Sequence, residues 1–449
     1  MHDRHPDREA LERYLDDAQP AGERRALQRH LFGCTVCEDR MIALLSAADA
    51  SPHPPPSGAG PRDWIERSLH DGRAEIAAHH RQLAGERLAA ADRWREIAPH
   101  PHERRRQKVA AEPRYHSWGF FEFLVERARL AVLDDPQRAE ELLRLALDVA
   151  DRLDPEICGR GASEAAKARA WSWLANAWRV LGDFRQAELA FQTAELYLAQ
   201  SWLDPLDEAL LLELKAPLRR GQRRFDEALA LLAEAIAIYR EVDEPHSHGR
   251  ALIVKGLVLR YQGDFAAAEE CFRTSLFLLD GRREPRLLMM GQYNLIGCLK
   301  DAGRTLEAAA LIPDARKIIE QAGTRSDRMR LRWTEGRVEL ALGRLATAEA
   351  ALLEVGESFL AEGRAFDAAQ VSLDLAVLYL RQHRLEETKH LAADLLAAFQ
   401  ARDVHQEALA SLIVLQQAAE QEQLTGELVE EVAAYLLAAS GDPHLKFRG

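Results

Sequence analysis

The chain of 449 residues is poor in what a sheet protein needs, since aromatic residues make up only 7% of it and β-branched residues are sparse. Ala, Leu, Glu and Arg dominate instead, and these lose little side-chain freedom in a helix. An all-α fold follows. Five cysteines in so long a chain exclude a disulfide framework. No apolar run approaches the roughly 20 residues that span a bilayer. The start, Met1 to Pro6, lacks the apolar stretch of a signal peptide. A soluble, cytoplasmic protein with no membrane contact is expected. The formal charge of −13 repels nucleic acid over most of the surface. Gly-rich phosphate loops, H-E-x-x-H and nucleophile elbows are all missing, so nothing in the sequence argues for an enzyme. Cys158, Cys271 and Cys298 are isolated, and the last two sit in apolar helical segments as buried structural thiols would.

What is present is repetition. Ala187 recurs as Ala228, Ala268, Ala308, Ala348 and Thr388, at spacings of 41, 40, 40, 40 and 40 residues. The preceding bulky residue recurs as Phe184, Phe225, Phe265, Leu345 and Leu385, with Thr305 breaking the column. A turn glycine recurs at Gly182, Gly263, Gly303 and Gly343. Each feature has a physical reason. A small residue lets two helices approach closely, bulky ones fill the space around the contact, and glycine accepts the left-handed backbone that ends a helix. Within one unit, Trp171, Leu174, Ala175, Trp178, Gly182, Phe184, Ala187, Phe191 and Ala194 stand at the diagnostic positions of the tetratricopeptide repeat, which the segment resembles. The resemblance implies an α-α superhelical solenoid. Its period here exceeds the usual 34 residues by about six. Pro217 predicts a kink or break in the second unit's first helix.

Six such repeats are expected over residues 162–403. A degenerate repeat precedes them at 117–161, turning at Asp135-Pro136, and capping helices follow at 404–449. In tetratricopeptide folds the first helix of each pair lines the concave face. In the register above, one inward column reads Arg179, Arg220, Arg260, Lys300, Leu340 and Leu380. A second reads Arg169, Leu210, Arg250, Met290, Arg330 and Gln370, and Asn176, Tyr293, Asn294, Trp333 and Arg337 share the face. Two roles are open to these cations. They bind an acidic or carboxylate-bearing protein or peptide, whose oxygens suit the arginine fork, or they bridge to acids on neighbouring repeats. Aromatic residues are too thinly interleaved for single-stranded nucleic acid.

The N-terminal 48 residues carry the one pattern with metal chemistry, His30-x3-Cys34-x2-Cys37. Four residues on a helix bring His30 over Cys34, and the two-residue gap lets both thiolates reach one tetrahedral zinc ion. A redox pair or two incidental thiols are the other readings of the cysteines. With Leu11, Tyr14, Leu15, Asp16, Asp17, Glu23 and Arg24 ahead of it, the motif resembles the zinc-binding anti-sigma-factor domain of bacteria over about residues 5–45. That resemblance implies a ligand set of His5, His30, Cys34 and Cys37, with His2 as substitute for His5, and a sigma factor as partner. Pro6 suits the first turn of the helix that follows. So small a module needs the metal for stability. The zinc would be structural or sensitive to thiol oxidation.

Residues 49–62 form a Pro/Gly-rich linker. Residues 63–116 read as a long amphipathic helix, Asp63 to Ile97, then a basic connector, Arg104 to Lys108, expected as a solvated loop. The helix would clamp the same partner or cap the first repeat. Two functions remain: a zinc-dependent regulator of a transcription component coupled to a repeat scaffold, or a general scaffold or peptide-responsive receptor in which the zinc module is only structural.

Overall fold

The structure, a computed structural model, describes residues 5–15, 27, 37, 40, 81–201, 204–362, 364–400 and 425–439. Among them the regular structure is entirely helical. The linker 49–62 and the first half of the helix expected from Asp63 lie outside the described residues. Two compact units divide the chain: residues 1–177 with 189–211, and residues 178–188 with 212–449.

The first unit holds α1 (Arg8–Leu15), the helical residues 81–97 (α2), α3 (His102–Ala111), α4 (Trp118–Ala131), α5 (Pro136–Ala150) and the short α6 (Pro155–Cys158). It also holds most of α7 (Arg160–Val180) and α8 (Phe184–Gln200) and the start of α9 (Pro205–Gly221). Asp7 caps α1 by accepting the Ala10 amide at 2.8 Å, so Pro6 stands ahead of the helix rather than in its first turn. Helices α4 and α5 pack on each other. Asp135 caps α5 from the predicted turn, accepting the Arg138 amide at 2.9 Å, with Pro136 at the first helical position. Tyr115, Phe120, Phe121, Leu124 and Leu143 are fully buried and build this unit's core. The basic run 104–108 is not a loop. It forms α3, because its cations find acids on α5: Arg105 donates to Glu141 at 2.9 Å, and Arg106 grips Asp148 at 2.6 and 2.9 Å.

The second unit continues through α10 (Phe225–Glu241), α11 (Pro245–Gln262), α12 (Phe265–Leu278), α13 (Pro285–Asp301) and α14 (Thr305–Ala322). It ends with α15 (Arg325–Ala341), α16 (Leu345–Ala361), α17 (Ala365–Arg381), α18 (Leu385–Gln400) and α19 (Gly426–Ala439). Each odd-numbered helix from α11 to α17 packs on the even one that follows it, and α11, α13, α15 and α17 also touch in succession. That is a tetratricopeptide-like solenoid. Ala228, Ala268, Ala308 and Ala348 have no exposed surface, which is why the column is small. Thr388 holds the same place because its hydroxyl donates to the Arg384 carbonyl at 2.9 Å and so carries no unmet polar group inward. Helix α9 runs unbroken through Pro217, contrary to a break there. Ala216 and Leu218, fully buried on either side of it, hold the segment in place.

The turns are nearly identical. Gly263, Gly303 and Gly343 adopt φ of 85°, 76° and 75°. After each, an amide reaches back over the helix end, as Asp264 does to Leu259 at 3.0 Å and Arg344 to Glu339 at 2.9 Å. Where glycine is absent, Arg223 and His383 take the same left-handed conformation at φ of 58° and 57°. Among the described residues, no helix is long and apolar enough to cross a membrane.

Candidate partner-binding face and metal ligands

Most of the predicted inward cations are held by acids, on a neighbouring first helix for Arg169, Arg250, Arg260 and Arg337 and on its own helix for Lys300. In the first unit Arg169 donates to both oxygens of Asp207, at 2.8 and 3.1 Å. Burial works against the Arg169 charge, but Asp207 outweighs it and keeps the guanidinium firmly protonated. Asn176, in the same unit, is buried. In the second unit Arg250 grips Glu213 at 2.6 and 2.8 Å, and the Tyr239 hydroxyl donates to the same carboxylate at 2.8 Å. Arg260 donates to Asp301 at 2.7 Å, and Lys300 contacts that carboxylate at 2.5 Å. Burial first, then the nearby Arg337 charge, lowers the Lys300 ammonium below its ordinary range against the pull of Asp301. Trp333 donates to Asp374 at 2.7 Å and Arg337 approaches the same acid at 3.4 Å. Arg330 is raised by the Tyr293 hydroxyl and the Asp367 charge despite its burial. Asn294 is spent on its own helix, donating to the Met290 carbonyl at 2.8 Å.

Arg179 and Arg220 stand one repeat apart. They are successive members of one column, and burial together with the Arg220 charge pushes the Arg179 guanidinium down to about 9. Arg220 lies 5.5 Å from the centre of the Tyr261 ring, which is itself half exposed. This end of the column brings together two guanidinium groups and an aromatic ring. Sequence reasoning placed the cations but not the acids Asp207, Glu213, Asp301 and Asp374. Their signal was present: each acid stands 37 to 41 residues from its partner, one repeat away.

The metal donors fall partly within the described residues. His5 precedes α1 and Cys37 is fully buried, and the His5 Nδ1 and Cys37 Sγ atoms lie 3.3 Å apart across 32 residues of chain. Two such donors on one tetrahedral zinc ion, with ordinary bond lengths, stand about 3.5 Å apart. The pair therefore fits two adjacent corners of a zinc site. His30 and Cys34 lie outside the described residues.

Residues 207–278 match the tetratricopeptide repeat family model. No curated protein matches the chain. Among solved structures the fold is similar to a Rap protein complexed with Competence and Sporulation Factor, at 12% identity and TM-score 0.53, covering 71% of this chain and 88% of that one. Aspartyl phosphate phosphatase F from Bacillus subtilis is similar at 12% identity and TM-score 0.49, over 90% of this chain and 96% of that one. The apo form of RapI matches at 13% identity and TM-score 0.47, over 70% and 86%. At these identities the likeness is one of fold.

Proposed function

We propose that the chain is a non-catalytic bacterial regulator in which the solenoid holds a protein or peptide partner, and an N-terminal zinc module engages a transcription component such as a sigma factor. The observation that carries the solenoid half is the Arg179–Arg220–Tyr261 end of the inward column. There two guanidinium groups and a half-exposed aromatic ring lie together, a combination that suits a carboxylate-bearing segment of a partner. A repeat array presents such a face as a long curved surface. The match of residues 207–278 to the tetratricopeptide repeat and the fold shared with a Rap protein solved with a bound factor both support partner holding.

The zinc half draws its support from the 3.3 Å approach of His5 to Cys37. With His30 and Cys34 these residues would hold zinc, which supplies stability to a module with little core. Its thiolates would be open to oxidation only where the metal leaves them exposed.

Affinity capture from a bacterial lysate with the full chain tests both halves. A sigma factor retained by the native chain and lost by the Cys34→Ser, Cys37→Ser double variant supports the zinc module as the binding element. Partners lost only on Arg179→Glu with Arg220→Glu support the scaffold with a purely structural zinc module. Metal analysis should find about one zinc per chain. Full zinc content in the double cysteine variant would sink the site.

A further inference from the structure

Gln370 occupies in α17 the position that Arg250 holds in α11 and Arg330 in α15. Arg250 meets the Glu213 carboxylate of α9, and Arg330 meets the Tyr293 hydroxyl of α13. Gln370 meets something else. Its Nε2 donates at 2.7 Å to the backbone carbonyl of Ala433, in the middle of α19 and 63 residues further along the chain. Helix α19 packs directly on α17. The change of residue type matches the change of partner. A buried arginine needs an acid, whereas a neutral amide suits a neutral carbonyl.

Helix α19 has the pattern of a docked ligand. Val429 and Val432 are fully buried and Tyr435 nearly so, at i, i+3 and i+6, while Glu427, Glu430 and Glu431 face solvent. It is 14 residues long, a length at which a helix alone in water is marginal, so α17 supplies much of its order. Helix α19 thus lies as an acidic amphipathic helix on the second inward column, the one that holds Arg250 and Arg330, and not on the column of Arg179 and Arg220.

We propose that this face of α17 is a seat for an acidic amphipathic helix, that α19 fills it in the free chain, and that a partner helix of the same pattern displaces α19 to bind. The inference rests on the partner-holding function given above. A seat filled by α19 about 99% of the time weakens a partner's apparent affinity about a hundredfold, and releasing α19 restores it.

The probe is a fluorescent synthetic peptide carrying residues 425–439, added to the full-length protein. Val429→Asp with Val432→Asp releases α19 and leaves α17 unaltered. That variant should bind the peptide at least roughly tenfold more tightly than the native chain. Adding Gln370→Glu, which sets a carboxylate against the peptide carbonyl, should remove the gain. Val429→Ala with Tyr435→Ala is the milder release if the double aspartate variant fails to fold. A released chain that keeps its helical circular dichroism yet binds the peptide no better than the native chain overturns the seat. Gln370→Glu leaving the gain intact overturns it too. Peptide uptake by the released chain, with no partner retained in lysate capture, leaves the seat standing and removes only the partner-holding function.

Discussion

Arg250 and Glu213 join two successive first helices through a forked pair of hydrogen bonds, at 2.6 and 2.8 Å, with the acid only 3% exposed. Removing one partner strands the other charge away from water. Glu213→Gln should therefore destabilise the second unit by about 3–5 kcal/mol. Glu213→Leu with Arg250→Met, which removes both charges, should cost less. Urea unfolding of the three proteins checks the order.

Acid should weaken the fold in two stages. The His246 Nδ1 accepts the Asp280 amide at 3.1 Å, and Nε2 stands 3.5 Å from Glu284. Burial lowers the His246 pKa below its usual value, helped by the Arg283 and Arg250 charges and opposed by Glu284. His102 and His248 are lowered as well, again chiefly by burial. A lowered base binds fewer protons folded than unfolded, so its contribution is whole above its unfolded pKa of about 6.5 and fades as pH falls below it. Glu188, Glu122 and Asp301, held low by arginines, add their losses only below about pH 4.5. Melting temperature followed from pH 7.5 to 4 should show a first decline between about pH 6.5 and 5, made shallower by His246→Gln.

His383 sits at φ 57° in the turn position where Gly182, Gly263, Gly303 and Gly343 stand in other repeats. A side chain pays a steric penalty there. His383→Gly should stabilise the second unit by about 1 kcal/mol, and Gly263→Ala, at φ 85°, should destabilise it by a similar amount. Thermal melts of both variants decide the point.

The Arg179–Arg220 pair should respond to anions. A polyglutamate peptide should raise the melting temperature of the native chain. Arg220→Met should weaken that binding about tenfold, the loss expected for one charge-assisted contact. An unchanged affinity would remove this pair from the partner face.

Much of this was legible in one dimension. The alanine column, the turn glycines and the 40-residue period located the helix pairs, because close helix approach tolerates only small residues at those places. Helices α4 and α5 lie within the stretch 117–161 read as a degenerate repeat, and Asp135 at its predicted turn caps α5. The basic run 104–108 was misread as a loop because its helix depends on Glu141 and Asp148, acids some 36 to 42 residues away. Pro217 does not break its helix, which local propensity alone misses because it leaves out the buried Ala216 and Leu218 beside it. His5 was placed beside Cys37 through family resemblance, and the two side chains meet at 3.3 Å.

The sequence by itself determined the helical class, the repeat register and which face of each first helix carries cations, since all three follow from residue size and period along the chain. Only the tertiary structure decided what those cations do. Arg169, Arg250 and Arg260 are neutralised by acids one repeat away, and Arg220 lies against the Tyr261 ring. It also decided that α19 rests on α17 at Gln370. Burial and charge pairing depend on which helices become neighbours, and a one-dimensional period specifies neighbours only as long as the repeat continues.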